Sequence, residues 1–439
     1  MQGIIMIFSR EETLSPAEME NLQSERLQAA IQNVYEHVPA YRAKMDASRV
    51  APGDIRSVSD LSKLPFTTKQ DLRDNYPYGL IAVDRNRLVR IHASSGTTGK
   101  PTVVGYTRKD MDVWTECVAR IACMGGATAD DIAQICFGYG MFTGALGLHY
   151  GLEKLGATII PSSTGNTQKQ IMYMKDFGAT LLVATPSYSL RIAEVAAEID
   201  VKPERDLTIR TALVGSELLT EAMRQEMYKA WGVGLNVTQN YGMSELMGPG
   251  VSGECECLCG MHINTDHFIP EVIDPATGEV LPIGERGELV ITCITKEALP
   301  LIRYRTRDLT RLILGDCACG RRTVRMENLS GRTDDMIKIR GVNVFPSQIE
   351  EVLLGVDECG PHYELVLTRR KHTDAMEVKV ELLPNAMSDS YRDLEKLSQN
   401  IRSQIKSMLG IEAKVTLASP NSLQRFEGKA KRVTDLRDA

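Results

Sequence analysis

Apolar positions between Glu18 and Met45 fall mostly three or four residues apart (Leu22, Leu27, Ile31, Val34, Tyr35), which predicts an amphipathic helix with one buried stripe. The next stretch, LPFTTKQDLRDNYP, places Thr67 or Thr68 where a hydroxyl would cap a short helix. From Leu88 to Val214 the pattern changes. Short β-rich runs (AQICFG, ATIIPS, TLLVATP, TALVGSE) alternate with helical stretches such as MDVWTECVARIACMG and YSLRIAEVAAEI. Apolar strands separated by helices predict a parallel sheet with helices on its faces.

After Gly250, EVIDPATGEVLPIGERGELVITCI reads as strand, turn, strand, with Pro275 and Gly278 supplying the turn chemistry of an antiparallel region. Near Gly331 a polar link leads into a short strand, a glycine-containing turn and a helix (SGRTDDMIKIRGVNVFPSQIEEVLL). YELVLTRR, EVKVELLP and KVTLAS then read as strands of a small α+β unit. At 439 residues the chain exceeds one ordinary core. The expected fold class is α/β: a large N-terminal domain, 1–332, with parallel α/β sheets and a β-rich subdomain, then a small C-terminal α+β domain, 335–439.

Composition narrows the function classes. A formal net charge of −6 without a basic excess argues against a nucleic-acid partner. No run of about 18 apolar residues exists to span a membrane. The start, MQGIIMIFSREE, lacks the basic leader of a signal peptide. The ten cysteines therefore read as reduced thiols or metal ligands, and the expectation is a cytoplasmic enzyme.

The stretch SSGTTGKP, Ser94 to Pro101, concentrates glycines, hydroxyls and a lysine in a loop suited to phosphate, although a flexible surface turn has the same composition. It is not the GxxxxGK[ST] loop. Gly96 and Gly99 have two residues between them rather than four, and Pro101 follows Lys100 where Ser or Thr would meet Mg2+.

Four further motifs follow in order: NYGMSE (Asn240 to Glu245), YRTRD (Tyr304 to Asp308), GRTDDMIKIRG (Gly331 to Gly341) and EGKAKR (Glu427 to Arg432). Together with SSGTTGKP they resemble the signature motifs of the adenylate-forming enzymes, the superfamily of acyl-CoA synthetases, adenylation domains and luciferases. KEALPLIRYRTRD, RGVNVFPSQIEEVL and YGMFTGALGLHYGLEKLGA resemble its phenylacetate–CoA ligase branch.

That resemblance implies two steps. An acid and ATP give an acyl-adenylate and pyrophosphate, and coenzyme A sulfur then displaces AMP. Ser94, Ser95, Gly96, Thr97, Thr98, Gly99 and Lys100 would hold the β and γ phosphates, with Glu245 and Thr98 contacting Mg2+. Gly215, Ser216 and Glu217 would border adenine, and the segment Asn240, Tyr241, Gly242, Met243 and Ser244 would line the nucleotide, with Tyr241 stacked on the base. Asp308 would grip the ribose hydroxyls, unless it is tied up with Arg305 or Arg307; Arg332 would also reach the nucleotide.

By the same resemblance Lys429 would be the adenylation lysine, bridging the acid's carboxylate and the α-phosphate, while Lys431 is an exposed lysine or a coenzyme A contact. Glu427 stands where many relatives carry Ser. Asp334, or Asp335 beside it, would be the hinge of a mobile C-terminal domain, and Gly341, Val342 and Asn343 would line the pantetheine tunnel. Tyr139, Phe142 and Gly144 fall where the acyl pocket is expected and suit an arylacetate ring, although the two aromatics read equally as core. Phenylacetate leads; indoleacetate, hydroxyphenylacetate and benzoate stay open. A freestanding adenylation enzyme loading a carrier protein is the alternative, and a homodimer is left open.

A separate signal lies in ECECLCGMH (Glu254 to His262) and CACGR (Cys317 to Arg321). The intervening sequence reads as a hairpin, so the two turns would meet. Thiolates with imidazole select Zn2+. Some members of the resembling branch, though not all, carry a Cys seven residues before a His, followed by CxCGR, and Cys255, His262, Cys317 and Cys319 match that pattern, with Cys257 and Cys259 spare. The role expected of such zinc is structural.

Overall fold

The computed structural model describes residues 6–94, 101–339, 342–370, 373–387, 390–426 and 430–437. The first amphipathic stretch forms the helix Pro16–His37, started by Ser15, whose side chain accepts the Glu18 N–H, and it buries Leu27, Ile31 and Val34. Of the two candidate caps, Thr68 is the one used: it accepts from Asp71 N at the start of Lys69–Asp74.

Among the described residues, nine strands form one sheet in the order Leu312–Ile313, Arg325–Met326, Met261–Ile263, Gly248–Glu254, Asn236–Met243, Thr211–Val214, Leu181–Ala184, Ile132–Ile135, Thr158–Ile160. From Asn236–Met243 to Thr158–Ile160 neighbouring strands run parallel, as the alternating pattern predicts. Leu181–Ala184 and Thr211–Val214 are buried at every position, which is why they read as unbroken apolar runs. The helices Arg108–Met124 and Gly144–Leu155 pack closely beside this sheet. A Cβ on Gly147 or Gly151 would stand 2.5 Å from the Trp114 ring or 2.3 Å from Val118.

The antiparallel half begins earlier than the sequence suggests. Asn236–Met243 turns back onto Gly248–Glu254 inside the same sheet. The predicted hairpin lies in a separate four-stranded sheet, ordered Phe268–Ile273, Gly287–Cys293, Tyr304–Thr310, Gly331–Arg332.

From Ile337 onward a distinct hydrophobic cluster forms around Ile349, Leu353, Leu365, Val378, Ile401 and Ile405. It fills the space between the helices Pro346–Leu354 and Tyr391–Leu409 and a mixed sheet of Lys414–Ala418, Thr373–Leu382, Cys359–Arg370 and Val433–Asp435. This is the small C-terminal lobe.

Candidate nucleotide site and metal centre

The parallel strand Thr211–Val214 ends in Gly215, where a Cβ would meet the Asn240 side chain at 2.8 Å, and in Ser216, held at φ +67°. Asn240 Nδ2 donates back to Val214 O at 2.8 Å, locking the two strand ends together. A left-handed serine beside a glycine that admits no side chain exposes backbone at the carboxyl edge of a parallel sheet, where ligands bind in such folds.

Along Tyr304–Thr310 burial alternates, so Tyr304, Thr306 and Asp308 turn inward while Arg305 and Arg307 turn outward. The alternation decides the question left open at Asp308. Arg305 and Arg307 reach Glu288 at 2.6 and 3.6 Å. Asp308 instead accepts the Tyr241 hydroxyl at 2.7 Å and Arg332 Nη1 at 2.7 Å. Burial raises the Asp308 carboxyl to about 6, with Arg332 and the Tyr241 hydrogen bond working against it. Tyr241 is itself buried, and burial with Asp308 beside it pushes its hydroxyl well above 10. Arg332 is held from the other side by Asp334, at 2.9 and 3.1 Å, and approaches Asp335 at 3.7 Å.

Glu245 sits in the turn between Asn236–Met243 and Gly248–Glu254. The turn is tight: a Cβ on Gly242 would lie 1.8 Å from Gly248 O, so only glycine fits there. Ser244 Oγ and Thr143 Oγ1 share a hydrogen bond at 3.0 Å. The Glu245 side chain is buried, and Lys69 Nζ lies 3.5 Å from its carboxylate. Lys296, also buried, donates to the Leu246 and Glu245 carbonyls at 2.8 and 3.4 Å and stands over the Tyr106 ring at 4.5 Å. Burial lowers its ammonium to about 8. Neither lysine was assigned a role from sequence. Lys296 lies in the quoted run KEALPLIRYRTRD, while nothing in the spacing around Lys69 marks it.

Of the predicted phosphate loop, Ser94 is described: its N–H donates to Thr102 O at 3.0 Å, and its buried hydroxyl has no partner among the described residues. Ser95, Gly96, Thr97, Thr98, Gly99 and Lys100 lie outside the described residues, as do Gly341 and Lys429. Val342 and Asn343 lie on Val342–Val344, paired with Ile337–Ile339, and Asn343 is exposed. Phe142 is 43% exposed, so it is not core. Its ring covers Gly144, where a Cβ would stand 2.7 Å from it. Half-buried Tyr139 shares a 3.0 Å hydrogen bond with His149 Nδ1, and His149 Nε2 meets Glu153 at 3.1 Å.

Sheet order brings the cysteine turns together. Cys255 directly follows Gly248–Glu254, His262 lies on Met261–Ile263, and Cys317 and Cys319 precede Arg325–Met326, which pairs with the histidine's strand. The hairpin between them in sequence belongs to the other sheet, so strand pairing rather than that hairpin makes the turns meet. One donor atom from each of Cys255, His262, Cys317 and Cys319 lies within 4.8 Å of the others, and all four residues are buried. His262 faces Thr323 through Nδ1 at 3.0 Å, leaving Nε2 toward Cys319 at 3.4 Å. Hydrogen bonding from Cys255, and then His262, holds the Cys319 thiol far below its ordinary range. Cys259 is 3.3 Å from Cys317 but is bonded by Arg325 at 3.0 Å; Cys257 is exposed.

Residues 10–293 match the family described as AMP-binding enzyme, and residues 341–437 match its C-terminal domain. The chain belongs to the AMP-binding, adenylate-forming enzymes. Within that family it is 48% identical to the phenylacetate–coenzyme A ligase of Escherichia coli, covering 97% of both chains. It is 47% identical to the enzyme of the same name from Thermus thermophilus, over 97% of this chain and 98% of that one. Among solved structures, 2-hydroxyisobutyryl-CoA ligase in its postadenylation state with 2-HIB-AMP gives a TM-score of 0.91 at 28% identity, covering 98% of this chain and 92% of that one. The same ligase with CoA in the thioesterification state gives 0.71 at 29% identity, with the same coverage. The chain is thus an AMP-forming acid–thiol ligase of the phenylacetate–CoA ligase group, and its use of ATP and coenzyme A follows from the family.

Proposed function

We propose that the chain joins phenylacetate, or a close arylacetate, to coenzyme A. In the first half-reaction a carboxylate oxygen of the acid attacks the α-phosphorus of ATP, forming the acyl–O–P bond and expelling pyrophosphate. In the second the coenzyme A thiolate attacks the acyl carbon and AMP leaves with the electron pair of the cleaved bond. The observation that carries this reading is likeness over 97% of the chain to phenylacetate–coenzyme A ligases, together with the buried Tyr241–Asp308 pair and the half-buried Arg332 bonded to it. The carrier-loading alternative is not favoured by those relatives.

Both reactants of the first step are anions, so the chain's task is positioning and charge neutralisation. Asp308, ionised, would accept from the two ribose hydroxyls. Arg332 keeps that carboxylate charged against its burial. Gly215, Ser216 and Glu217 would border adenine with Tyr241 against the base. Ser94 through Lys100 would hold the outgoing phosphates; the buried Ser94 hydroxyl, without a partner among the described residues, supports this. Lys429 would neutralise charge between carboxylate and α-phosphate. The buried Glu245 carboxylate, a hard oxygen donor, fits Mg2+, with Thr98 as second contact; the ion would screen the triphosphate's charge. Tyr139, Phe142 and Gly144 would receive the ring, and Gly341, Val342 and Asn343 the pantetheine arm once the C-terminal lobe (335–439) turns about Asp334. The better match to the postadenylation state than to the thioesterification state supports an arrangement suited to the first step.

The four converging donors Cys255, His262, Cys317 and Cys319 fit Zn2+ in number and chemistry. With all four positions filled by protein, the metal would be structural. The free cysteines suit a reducing compartment such as the cytoplasm.

The test is thioester formation from ATP, Mg2+ and coenzyme A across phenylacetate, hydroxyphenylacetate, indoleacetate and benzoate, with AMP recorded in parallel. We expect thioester from phenylacetate and little from benzoate. AMP release without any thioester would replace this reading with carrier loading.

A further inference from the structure

The residues on either side of 427–429 are tied to the large lobe by carboxylates. On one side, Arg425 makes a bidentate pair with Glu381 of its own lobe, 2.8 Å to each oxygen, and its Nε stands 3.5 Å from Glu194 of the helix Pro186–Glu198. Glu381 also accepts the Asn421 and Leu423 N–H groups, at 3.1 and 2.5 Å, so Arg425 is anchored before it meets Glu194. Glu194 takes a second contact from the same lobe, His362 Nε2 at 2.5 Å, and is steadied by Arg191 at 3.1 Å. On the other side, Ala430 N donates to Glu217, whose second oxygen accepts the Ser187 hydroxyl at 2.6 Å.

We infer that Glu194 and Arg425 are positioning residues for adenylation: their pair, with Glu217 holding Ala430, docks the small lobe on the large one in the arrangement that serves the first half-reaction. The inference rests on the reading of Lys429 proposed above. Its geometry is suited to that task. The Glu194, His362 and Arg425 side chains retain 29, 12 and 18% exposure, so their pairs form and part without stranding a charge in an apolar interior. The interaction is made between lobes, so it biases one arrangement of the lobes and no other.

The experiment separates the half-reactions in the full chain. Pyrophosphate release from ATP and phenylacetate reads the first; thioester formed from synthetic phenylacetyl-adenylate and coenzyme A reads the second. Glu194→Gln and Arg425→Gln should each lower kcat of the first about tenfold, with KM for ATP changed less than about twofold and no loss in the second. Their double variant should lose less than the product of the two single losses, because the pair they share is already broken in either one, and Arg425→Lys should recover part of the rate. An unchanged first half-reaction would overturn the inference. So would equal loss in both half-reactions with a lowered Tm, which marks a structural role. Lys429→Ala in the same assay separates the two layers: if it leaves pyrophosphate release intact, the underlying reading of Lys429 fails, whatever Glu194 does.

Discussion

The large and small lobes hold their functional groups in opposite ways. In the large lobe, Tyr241, Asp308 and Glu245 are buried, and the first two are bonded to one another within a packed interior. The small lobe has its own core around Leu365, Val378 and Ile405, and meets the large one through polar contacts (Glu194 with His362 and Arg425, Glu217 with Ala430, Thr220 with Glu350) and through Leu354, which packs on the large lobe's apolar cluster. Buried groups cannot part without leaving unsatisfied partners, whereas polar contacts at a lobe boundary exchange for water at small cost. The comparison fits the proposed division of labour, a standing nucleotide cradle and a small lobe that docks reversibly for two sequential reactions on one site.

The hardest test of that division is Lys429→Ala. Removing a charge used only while the anhydride forms should slow pyrophosphate release by about 10²–10³-fold. ATP binding, measured by calorimetry, should stay within about twofold, and its loss would show that the small lobe is part of the cradle. Next comes the cysteine cluster. Cys317→Ser should lower bound zinc, read by elemental analysis, and cost on the order of 2–4 kcal/mol. The loss should appear in melting of the large lobe, with hydrogen exchange in the Leu365–Ile405 core unchanged.

Asp308→Ala should raise KM for ATP about 10–100-fold, the equivalent of losing charge-assisted hydrogen bonds worth about 1.5–3 kcal/mol. The same carboxyl sets a pH dependence. Its folded value is raised to about 6, so it is ionised above that pH and neutral below. In the proposed site ribose binding would use the ionised form, and KM for ATP should climb as pH falls through about 6. Stability runs the other way: burying the charge costs free energy, so this group's contribution is present at low pH and lost as pH rises through about 6. A KM flat across pH 5 to 7 would remove Asp308 from the ribose. The smallest effect is ionic. Raising salt from ~0.05 to ~0.5 M should slow the first half-reaction roughly two- to threefold by screening the Glu194 pairs, and leave the second unaffected.

Much of the proposed nucleotide site was legible in the chain because its groups are local. NYGMSE and YRTRD each sit on one strand or turn, so the groups of each motif lie together whatever the sheet order. Parallel strands were legible as unbroken apolar runs. What eluded sequence was long-range. Lys69 meets Glu245 across a gap of 176 residues, with no spacing to signal it. Arg425 and Glu194 read as ordinary charged residues on surface elements until the lobes are set side by side.

The chain by itself determined the element types, the reaction class and most of the groups that would carry it, since period and short motifs depend on neighbours within a few residues. Only tertiary structure decided that Asp308 pairs with Tyr241 and Arg332 rather than with Arg305 or Arg307. It also decided that strand pairing, not the intervening hairpin, gathers Cys255, His262, Cys317 and Cys319. And it set the small lobe's polar contacts opposite Glu194 and Glu217. Each of these depends on sheet order and lobe packing, where residues distant in sequence compete for the same space and the same hydrogen bonds.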